Sequence, residues 1–294
     1  ALAWHAAGHQ ATAWIAYLTL GKEKAHKVAD VLRKHPDYAL WMKDKSSDLE
    51  EDLYLFLHAA TWPDDIRDKD HPSHKLAHSS WHYINRFFTL DGKTPPTPEK
   101  GKHIQEAFEL NSKALSGSGS DADKAVALCW VFHLMGDIHQ PLHTTALVST
   151  NFPEGDRGGN LFWVQRKKGT TNLHNLWDGF WDKETAVKRA SDAPPTERVD
   201  HLKLQKIVDG VKAQYPASGF KELGVTDFNA WIDEGYAFAT HNAYLDGKLQ
   251  GNSDKTMAVA LPDTYEADSR KLGERQLALG GYRLAGQLTS LLKL

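Results

Sequence analysis

The amino-acid sequence predicts an all-α fold: a single, mostly helical domain with at most a small β-hairpin. Apolar residues recur three and four positions apart along most of the 294 residues, which is the period of an amphipathic helix. Neither an internal repeat nor a linker divides the chain, and this length can form one large core. Apolar residues make up 41% and charged residues 25% of the composition, as is ordinary for a globular domain.

Several helices share apolar residues spaced three, four and seven positions apart. These positions are Ala11, Trp14, Ile15 and Leu18 in the first helix; Leu49, Leu53, Phe56, Leu57 and Ala60 in the second; Ile104, Ala107, Phe108 and Leu115 in the third; and Leu277, Leu284, Leu288 and Leu291 in the last. A capping box from Ser47 to Glu50 marks the start of the second helix. Two further helices are predicted over 199–214 and 226–245.

A long helix is predicted near residues 121–139, between the turn-forming stretch SGSGSDAD and Pro141, which ends it. Its apolar residues lie on nearly every side: Ala125, Leu128, Cys129 and Phe132. A helix of this kind is buried at the centre of a domain. The stretch LFWVQ at 161–165 is the best candidate for a strand.

Composition and charge exclude several classes of protein. The net charge is −3, so the broad basic face of a protein that wraps duplex DNA is not expected, whereas a local basic site is compatible with this charge. No apolar run reaches the roughly 18 residues that a membrane helix needs. Cys129 is the one cysteine, so the chain forms no internal disulfide.

The stretch HLMGDIHQPLH, residues 133–143, puts titratable side chains into an apolar segment. His133 and Asp137 lie four positions apart and share a face of the central helix, and His143 follows beyond Pro141. Buried charge is costly unless it is paired or bound to a metal. One such pair alone is more typical of hydrogen-bonded core residues, and a zinc site inside a helical bundle is the alternative.

The same kind of pattern recurs along the chain. His174 and Asp178 are again four positions apart in NLHNLWDG, and other histidines and aspartates adjoin apolar segments. Together they give nine candidate ligands: Trp4, His9, Asp64, His82, His133, Asp137, His143, His174 and Asp178. Nitrogen and oxygen ligands without thiolate suit zinc, and manganese or iron less well. Nine ligands are too many for one tetrahedral ion and suit about three.

Seven motifs follow one another from Trp4 to the C-terminus: WHAAGH, WPDDIR, WHYIN, HLMGDIHQPLH, GDRGGN, NLHNLWD and QLALGGYRLAGQL. With them the chain resembles the single-strand-specific zinc nucleases of the S1/P1 type (class I nucleases), which share a superfamily with the zinc phospholipases C. The resemblance implies an α-helical fold with a buried trinuclear zinc cluster at the bottom of a cleft. It assigns Asp64, His82, His133 and Asp137 to one zinc; Trp4, through its free amino group and carbonyl, His9 and the shared Asp137 to a second; and His143, His174 and Asp178 to the third.

The resemblance also implies a reaction. A water between two close metals bridged by a carboxylate attacks phosphorus in line as hydroxide, while the third zinc and a cation stabilise the phosphate and the leaving 3′-oxygen. Single-stranded DNA and RNA are cut to 5′-nucleotides, and 3′-mononucleotides lose their 3′-phosphate. The implied catalytic residues are Asp64, Arg67 and Asp137. Metal binding would offset the cost of burying the charges in residues 133–143.

Substrate contacts are implied at three positions. Arg67 matches a basic residue that contacts phosphate, with an exposed arginine at a helix end as the alternative. Tyr83 matches an aromatic residue that stacks on a base, which contributes roughly 1–3 kcal/mol per base, with simple packing as the alternative. Asn85 departs from the aspartate that is frequent in the family. Because an amide both donates and accepts hydrogen bonds, a different base preference is expected.

Two alternatives to a nuclease remain. A zinc phospholipase C has a longer gap between its N-terminal tryptophan and first histidine, and glutamate as its last ligand. The spacing from Trp4 to His9 and the presence of Asp178 favour the nuclease. A non-catalytic, metal-binding helical protein has little support, because all nine ligand positions are intact. The resemblance implies neither a stable protein partner nor a membrane, and a monomer is expected.

The first residues, Ala1-Leu2-Ala3, match the small-x-small pattern that precedes a signal-peptidase cut. Cleavage after Ala3 would free the amino group of Trp4 that the resemblance requires. Residues 1–3 are therefore expected to be a signal-peptide remnant, and residues 4–294 the zinc nuclease domain. The protein is then expected to be secreted or periplasmic. A chain with one cysteine tolerates the oxidising conditions outside the cytoplasm.

Overall fold

The computed structural model describes residues 4–43, 45, 49–187 and 199–294. Two sequence predictions lie outside the described residues: the signal-peptide remnant at residues 1–3 and the capping residue Ser47. The mostly helical fold class is confirmed. No helix in the described ranges combines the length and apolar character needed to cross a bilayer.

The helices of the described chain are α1 (Ala6–Leu32), α2 (Tyr38–Lys43), α3 (Glu51–Asp65), α4 (Ile104–Ser116), α5 (Asp121–Asp137), α6 (Leu173–Asp178), α7 (Asp182–Thr185), α8 (His201–Gln214), α9 (Phe228–Phe238) and α10 (Tyr265–Leu291). The strands are β1 (Arg86–Thr89), β2 (Thr145–Val148), β3 (Trp163–Arg166), β4 (Gly169–Asn172) and β5 (Val259–Ala260). The helices predicted over 199–214 and 226–245 correspond to α8 and to α9, which continues into a π-helical turn at Ala239–Ala243.

Helix α5 lies at the centre of the fold, packed against α1, α3, α4 and α10. It begins at an exposed capping box: Asp123 N donates to Ser120 Oγ at 3.1 Å, and Ser120 N donates to the Asp123 carboxylate at 3.2 Å. From Ala127 onwards every residue of the helix is buried. The helix ends two residues before the predicted position 139, because the chain tightens into turns ahead of Pro141. The polar end of α5 therefore lies deep inside the molecule.

The β-structure is larger than the single hairpin predicted. Strands β3 and β4 form that hairpin, and β5 pairs with β3 in parallel. A second sheet pairs β1 with β2 in parallel, with Phe87 opposite Ala146. This pairing was not predicted, because each strand has only four residues and the two lie far apart along the chain. The β1–β2 pairing brings the segment after His82 beside the segment after His143.

Candidate metal centre and substrate cleft

His133 and Asp137 project from the buried end of α5 into one space. His133 Nε2 lies 3.3 Å from Asp137 Oδ2, and both side chains are 0% exposed. The other ring nitrogen, His133 Nδ1, donates to the carbonyl oxygen of Ala60 on α3 at 2.7 Å. Because a carbonyl oxygen can only accept, this contact fixes the ring so that Nε2 faces the carboxylate.

A first group of ligand atoms comes from Asp64, His82 and His133, all within 4.8 Å of one another. Asp64 lies in the last turn of α3, and His82 ends the 3₁₀ turn Ser79–His82. His82 Nδ1 lies 2.9 Å from His133 Nε2 and 3.1 Å from Asp137 Oδ2. Asp64 Oδ1 lies 3.8 Å from His82 Nδ1 and 3.9 Å from His133 Nε2. Three separate elements thus converge on one point.

A second group joins His9 of α1 to His133 and Asp137. His9 Nε2 lies 3.3 Å from Asp137 Oδ1, and the rings of His9 and His133 stack 4.0 Å apart. A Cβ on Gly136 would lie 2.5 Å from His9 Nδ1, so only glycine lets α1 and α5 approach this closely. Asp137 therefore turns Oδ1 towards the second group and Oδ2 towards the first, which is the arrangement of a bridging carboxylate.

Trp4 lies just before helix α1, which carries His9 of this second group. Its side chain is fully buried and packs on Trp181, with ring centroids 5.2 Å apart. The amide of His5, the next residue, donates to the carbonyl of Asp178 at 3.2 Å, which fixes the start of α1 against the end of α6. Whether Trp4 contributes an amino group depends on residues 1–3, so that assignment stays a prediction.

A third group combines His143, His174 and Asp178. His174 Nε2 lies 3.2 Å from Asp178 Oδ2, and the two histidine rings are 5.0 Å apart. His143 Nδ1 donates to the carbonyl of His82, and His174 Nδ1 to that of Gly158, both at 2.6 Å. These contacts again leave Nε2 of each ring for another partner. Gly158 has a φ of +62°, and a Cβ there would lie 2.5 Å from a carbonyl oxygen, so the position requires glycine.

Gln140 supports the third group, a role that sequence reasoning missed. Its side chain is fully buried, Nε2 donates to Asp178 Oδ1 at 2.6 Å, and Oε1 accepts from Leu142 N at 2.6 Å. The carboxamide thus leaves Asp178 Oδ2 for His174. Its signal in the sequence was a lone amide within the HQPLH segment, where apolar neighbours require any polar group to find a partner.

The charges of the first two groups are balanced by a proton. Burial alone raises the pKa of the Asp137 carboxyl, but the adjacent rings, His133 foremost, hold it well below its usual value. Burial lowers the pKa of His133, but Asp137 and Asp64 raise it to about 9. His133 thus carries a positive charge between two carboxylates, and a bound cation would take over that role and release the proton.

In the third group, no protonated His143 balances the charge of the Asp178 carboxylate. Burial raises the pKa of the Asp178 carboxyl well above its usual value, and the hydrogen bond from Gln140 opposes this without offsetting it. Burial lowers the pKa of His143, which keeps the ring neutral and able to act as a ligand. A carboxyl in this setting favours its charged form only when a cation lies beside it.

The donor atoms fit zinc. His9 Nε2, His143 Nε2 and Asp137 Oδ1 are buried, and none has a hydrogen-bond partner among the described residues. Such atoms are costly unless something else binds them, and a metal ion does so. Imidazole nitrogens and carboxylate oxygens without thiolate are a donor set that zinc accepts. Eight of the nine predicted ligands, all except Trp4, therefore lie in three groups of donor atoms, which is the arrangement that the family resemblance implies.

A cavity of about 560 Å³ opens beside the third group, next to His143 and His174. The three predicted substrate residues, Arg67, Tyr83 and Asn85, all line it, together with Glu99, Arg157 and Asn160. Arg67 NH1 lies 3.4 Å from Asp64 Oδ1, so its guanidinium is held beside the first group. The Tyr83 hydroxyl donates to the Glu99 carboxylate at 3.1 Å, at the mouth of the cavity. An aromatic ring and two cations thus adjoin the groups of ligand atoms.

His139, the remaining histidine of the HLMGDIHQPLH segment, lies outside the three groups. Its Nδ1 donates to the carbonyl of Met135 at 2.7 Å, and its Nε2 faces Arg283 at 3.2 Å. Arg283 in turn pairs with Glu234. His139 therefore joins α5 to α10 and α9 and does not reach the ligand atoms.

Helices that carry buried histidines and aspartates together beside a cavity define a class of helical protein able to hold several metal ions. The chain belongs to the S1/P1 nuclease family, because the family model described as S1/P1 Nuclease matches residues 4–293. It is therefore a nuclease, a hydrolase acting on nucleic acid, and its family is generally zinc-dependent. The resemblance seen in the motifs is confirmed, and the match favours the nuclease over the phospholipase alternative.

Curated relatives agree with this assignment. The chain is 29% identical to Endonuclease 2 of Arabidopsis thaliana over 303 residues, which cover 97% of this chain and 89% of the relative. It is 30% identical to Nuclease S1 of Aspergillus oryzae over 192 residues, or 62% of this chain and 60% of the relative. Against Endonuclease 3 of Arabidopsis thaliana it is 31% identical over 163 residues, and there the match spans half the length of the relative.

Proposed function

We propose that the protein is a zinc-dependent phosphodiesterase with three Zn²⁺ ions. It cuts single-stranded DNA and RNA to 5′-nucleotides and removes the 3′-phosphate from 3′-mononucleotides. The observation that carries the proposal is the position of Asp137, which turns one oxygen to each of two histidine groups. A carboxylate so placed is suited to hold two metal ions close together.

The three groups of side chains would hold the three ions. Zinc ions in such sites lower the pKa of a coordinated water and stabilise negative charge on phosphate oxygens. Asp64 keeps the guanidinium of Arg67 beside the first group, where it can bind a non-bridging phosphate oxygen. Gly158 and Gln140 hold His174 and Asp178 in the orientation that the third group requires. The chain thus supplies fixed donors around the phosphate.

Preference for unpaired strands is supported by Tyr83. Its ring is half-buried beside the cavity, and a base stacked on it would have to leave a duplex. Unstacking and unpairing a base costs a few kcal/mol. The net charge of −3 offers little general affinity for a duplex to offset that cost.

Parallel assays test the proposal. Zinc-loaded protein is given matched single- and double-stranded oligonucleotides, a 3′-mononucleotide and phosphatidylcholine, with zinc measured per chain by elemental analysis. We expect about three zincs, turnover of the single strand and the 3′-mononucleotide, and little turnover of the duplex or the lipid. Asp137→Ala should lose two zincs together and nearly all activity, whereas Asp65→Asn, next to Asp64 but outside the three groups, should keep both. One zinc or none per wild-type chain, or equal rates on single and double strands, would contradict the proposal.

A further inference from the structure

Arg157 has an unusual backbone conformation beside the cleft. Its φ of +56° lies in the left-handed region, which costs a residue with a side chain of order 1 kcal/mol. The carbonyl of Arg157 accepts from Asn160 N at 3.3 Å and from Asn160 Nδ2 at 2.8 Å. Asp156, the preceding residue, is buried and accepts from Leu147 N and the Tyr244 hydroxyl. Such strain persists where surrounding contacts fix it, and it is concentrated at functional sites.

Within residues 4–43, 45, 49–187 and 199–294 the guanidinium of Arg157 makes no ion pair and no hydrogen bond. The residue is exposed and lines the cavity of about 560 Å³. Other arginines differ: Arg67 lies beside Asp64, and Arg166 pairs with Glu266 at 2.6 Å. A cation fixed by its backbone but left unpaired in a cleft is available to an anionic ligand.

The two arginines of the cleft are attached to different parts of the metal centre. Arg67 follows Asp64 and so belongs to the first group, whereas Arg157 precedes Gly158, whose carbonyl holds His174 of the third group. Tyr83, Arg67 and Arg157 all line the same cavity.

We propose that Arg157 binds a second phosphate of the substrate, the one on the 5′ side of the nucleoside that stacks on Tyr83. The inference rests on the proposed function, in which the reacting phosphate lies at the metal groups beside Arg67. Consecutive phosphates of a nucleic-acid strand flank each nucleoside, so two guanidinium groups that line one cavity with a stacking ring suit a strand. A planar guanidinium binds phosphate with two parallel hydrogen bonds. Arg157 thereby favours oligonucleotides over substrates that carry one phosphate.

Two substrates that differ in one phosphate test this assignment: a dinucleoside monophosphate and the same molecule with a 5′-phosphate. We expect the wild type to prefer the 5′-phosphorylated form. Arg157→Gln should lower kcat/KM on the 5′-phosphorylated substrate roughly tenfold to a hundredfold. Its kcat/KM on the dinucleoside monophosphate without the 5′-phosphate should change less than about twofold. Arg157→Lys should restore part of the preference, because an ammonium keeps the charge but not the paired hydrogen bonds. Arg166→Gln, an arginine outside the cavity, is the control and should leave both substrates unchanged.

The outcomes separate the two proposals. If the wild type cleaves both substrates but Arg157→Gln lowers both equally, the role of Arg157 is overturned and the nuclease function stands. If the wild type cleaves neither, the function fails and the role of Arg157 with it. Equilibrium binding of an uncleavable methylphosphonate dinucleotide, with and without the 5′-phosphate, gives the same comparison without turnover. Equal dissociation constants for the two forms with the wild type would also overturn the role of Arg157.

Discussion

Gln140 shows at the scale of one residue how the third group is held together. Both polar atoms of its carboxamide are used, one by Asp178 of α6 and one by the amide of Leu142 in the turn that carries His143. The same side chain therefore orients a carboxylate and fixes the backbone beside a histidine of the same group. Residues that orient metal ligands typically contribute a factor of 10 to 100 in metal affinity.

Replacement of Gln140 by methionine should release the third metal. Gln140→Met has similar volume but leaves Asp178 Oδ1 and Leu142 N without a partner, which also costs about 1–3 kcal/mol of stability. Zinc per chain, measured over a range of free zinc concentrations, should fall from three to two at concentrations that saturate the wild type. Gln276→Met, which replaces a buried glutamine of α10, should keep three. Unchanged zinc affinity in Gln140→Met would show that Asp178 needs no such support.

At the scale of elements, α3 carries polar side chains at its middle and near its C-terminal end. Asp64 lies at its C-terminal end among the ligands, and His58 lies two turns earlier in an aromatic environment. His58 stacks on Trp41 at 5.6 Å and lies 4.4 Å from Tyr54. Burial, with the nearby His201 of α8, lowers the pKa of His58 to about 3. The packing of α3 on α2 therefore requires a neutral ring.

Acid should weaken this packing. The folded-state pKa of His58, about 3, lies below its ordinary value of 6.5, so between these values the unfolded chain binds a proton that the folded chain does not. Stability is therefore lost as pH falls below 6.5, by about 2 kcal/mol between about pH 7 and pH 5. The free energy of unfolding is measured with urea at the two pH values. Its loss on going from pH 7 to pH 5 should be about 2 kcal/mol smaller in His58→Gln than in the wild type. His241→Gln, at an exposed histidine, should match the wild type, and an equal pH dependence in all three proteins would refute the assignment.

At the scale of the whole molecule, the three groups join elements that are distant in sequence. The first two groups connect α1, α3, α5 and the turn Ser79–His82, and the third connects α6 to the turn Pro141–Thr144. Metal ions bound there would act as cross-links at the centre of the fold. Their binding free energy adds to the stability of the folded state, by about 4 kcal/mol per site at a thousandfold excess over the dissociation constant.

Removal of the metal should destabilise the protein strongly. Buried carboxylates and imidazoles then lose their partner, so the apparent Tm should fall by about 10 °C or more in excess chelator. Differential scanning fluorimetry with and without chelator measures this, and added zinc, but not magnesium, should restore the original Tm. Equal melting temperatures in both conditions would exclude a structural contribution from the metal.

The sequence by itself determined what depends on local geometry. The helical periods placed α4, α5 and α8 to within a few residues, because each follows from the spacing of apolar residues. For α10, which begins at Tyr265, the predicted leucines from Leu277 onwards marked only the C-terminal half. The same local geometry placed His133 with Asp137 and His174 with Asp178, since residues four apart share a face of any helix. The motifs that carry these pairs were also enough to identify the family.

Only the tertiary structure decided how the pairs combine. No spacing within α5 indicates that Asp137 turns one oxygen to His9 of α1 and the other to His82, because these contacts arise from packing between distant segments. The pairing of β1 with β2 left no periodic signal, since strands of four residues are too short to show one. Gln140 and Arg157 gained their roles in the same way. The partners of the Gln140 carboxamide depend on which segments the fold brings within a few ångströms. The same is true of the Arg157 guanidinium, which has no partner among the described residues.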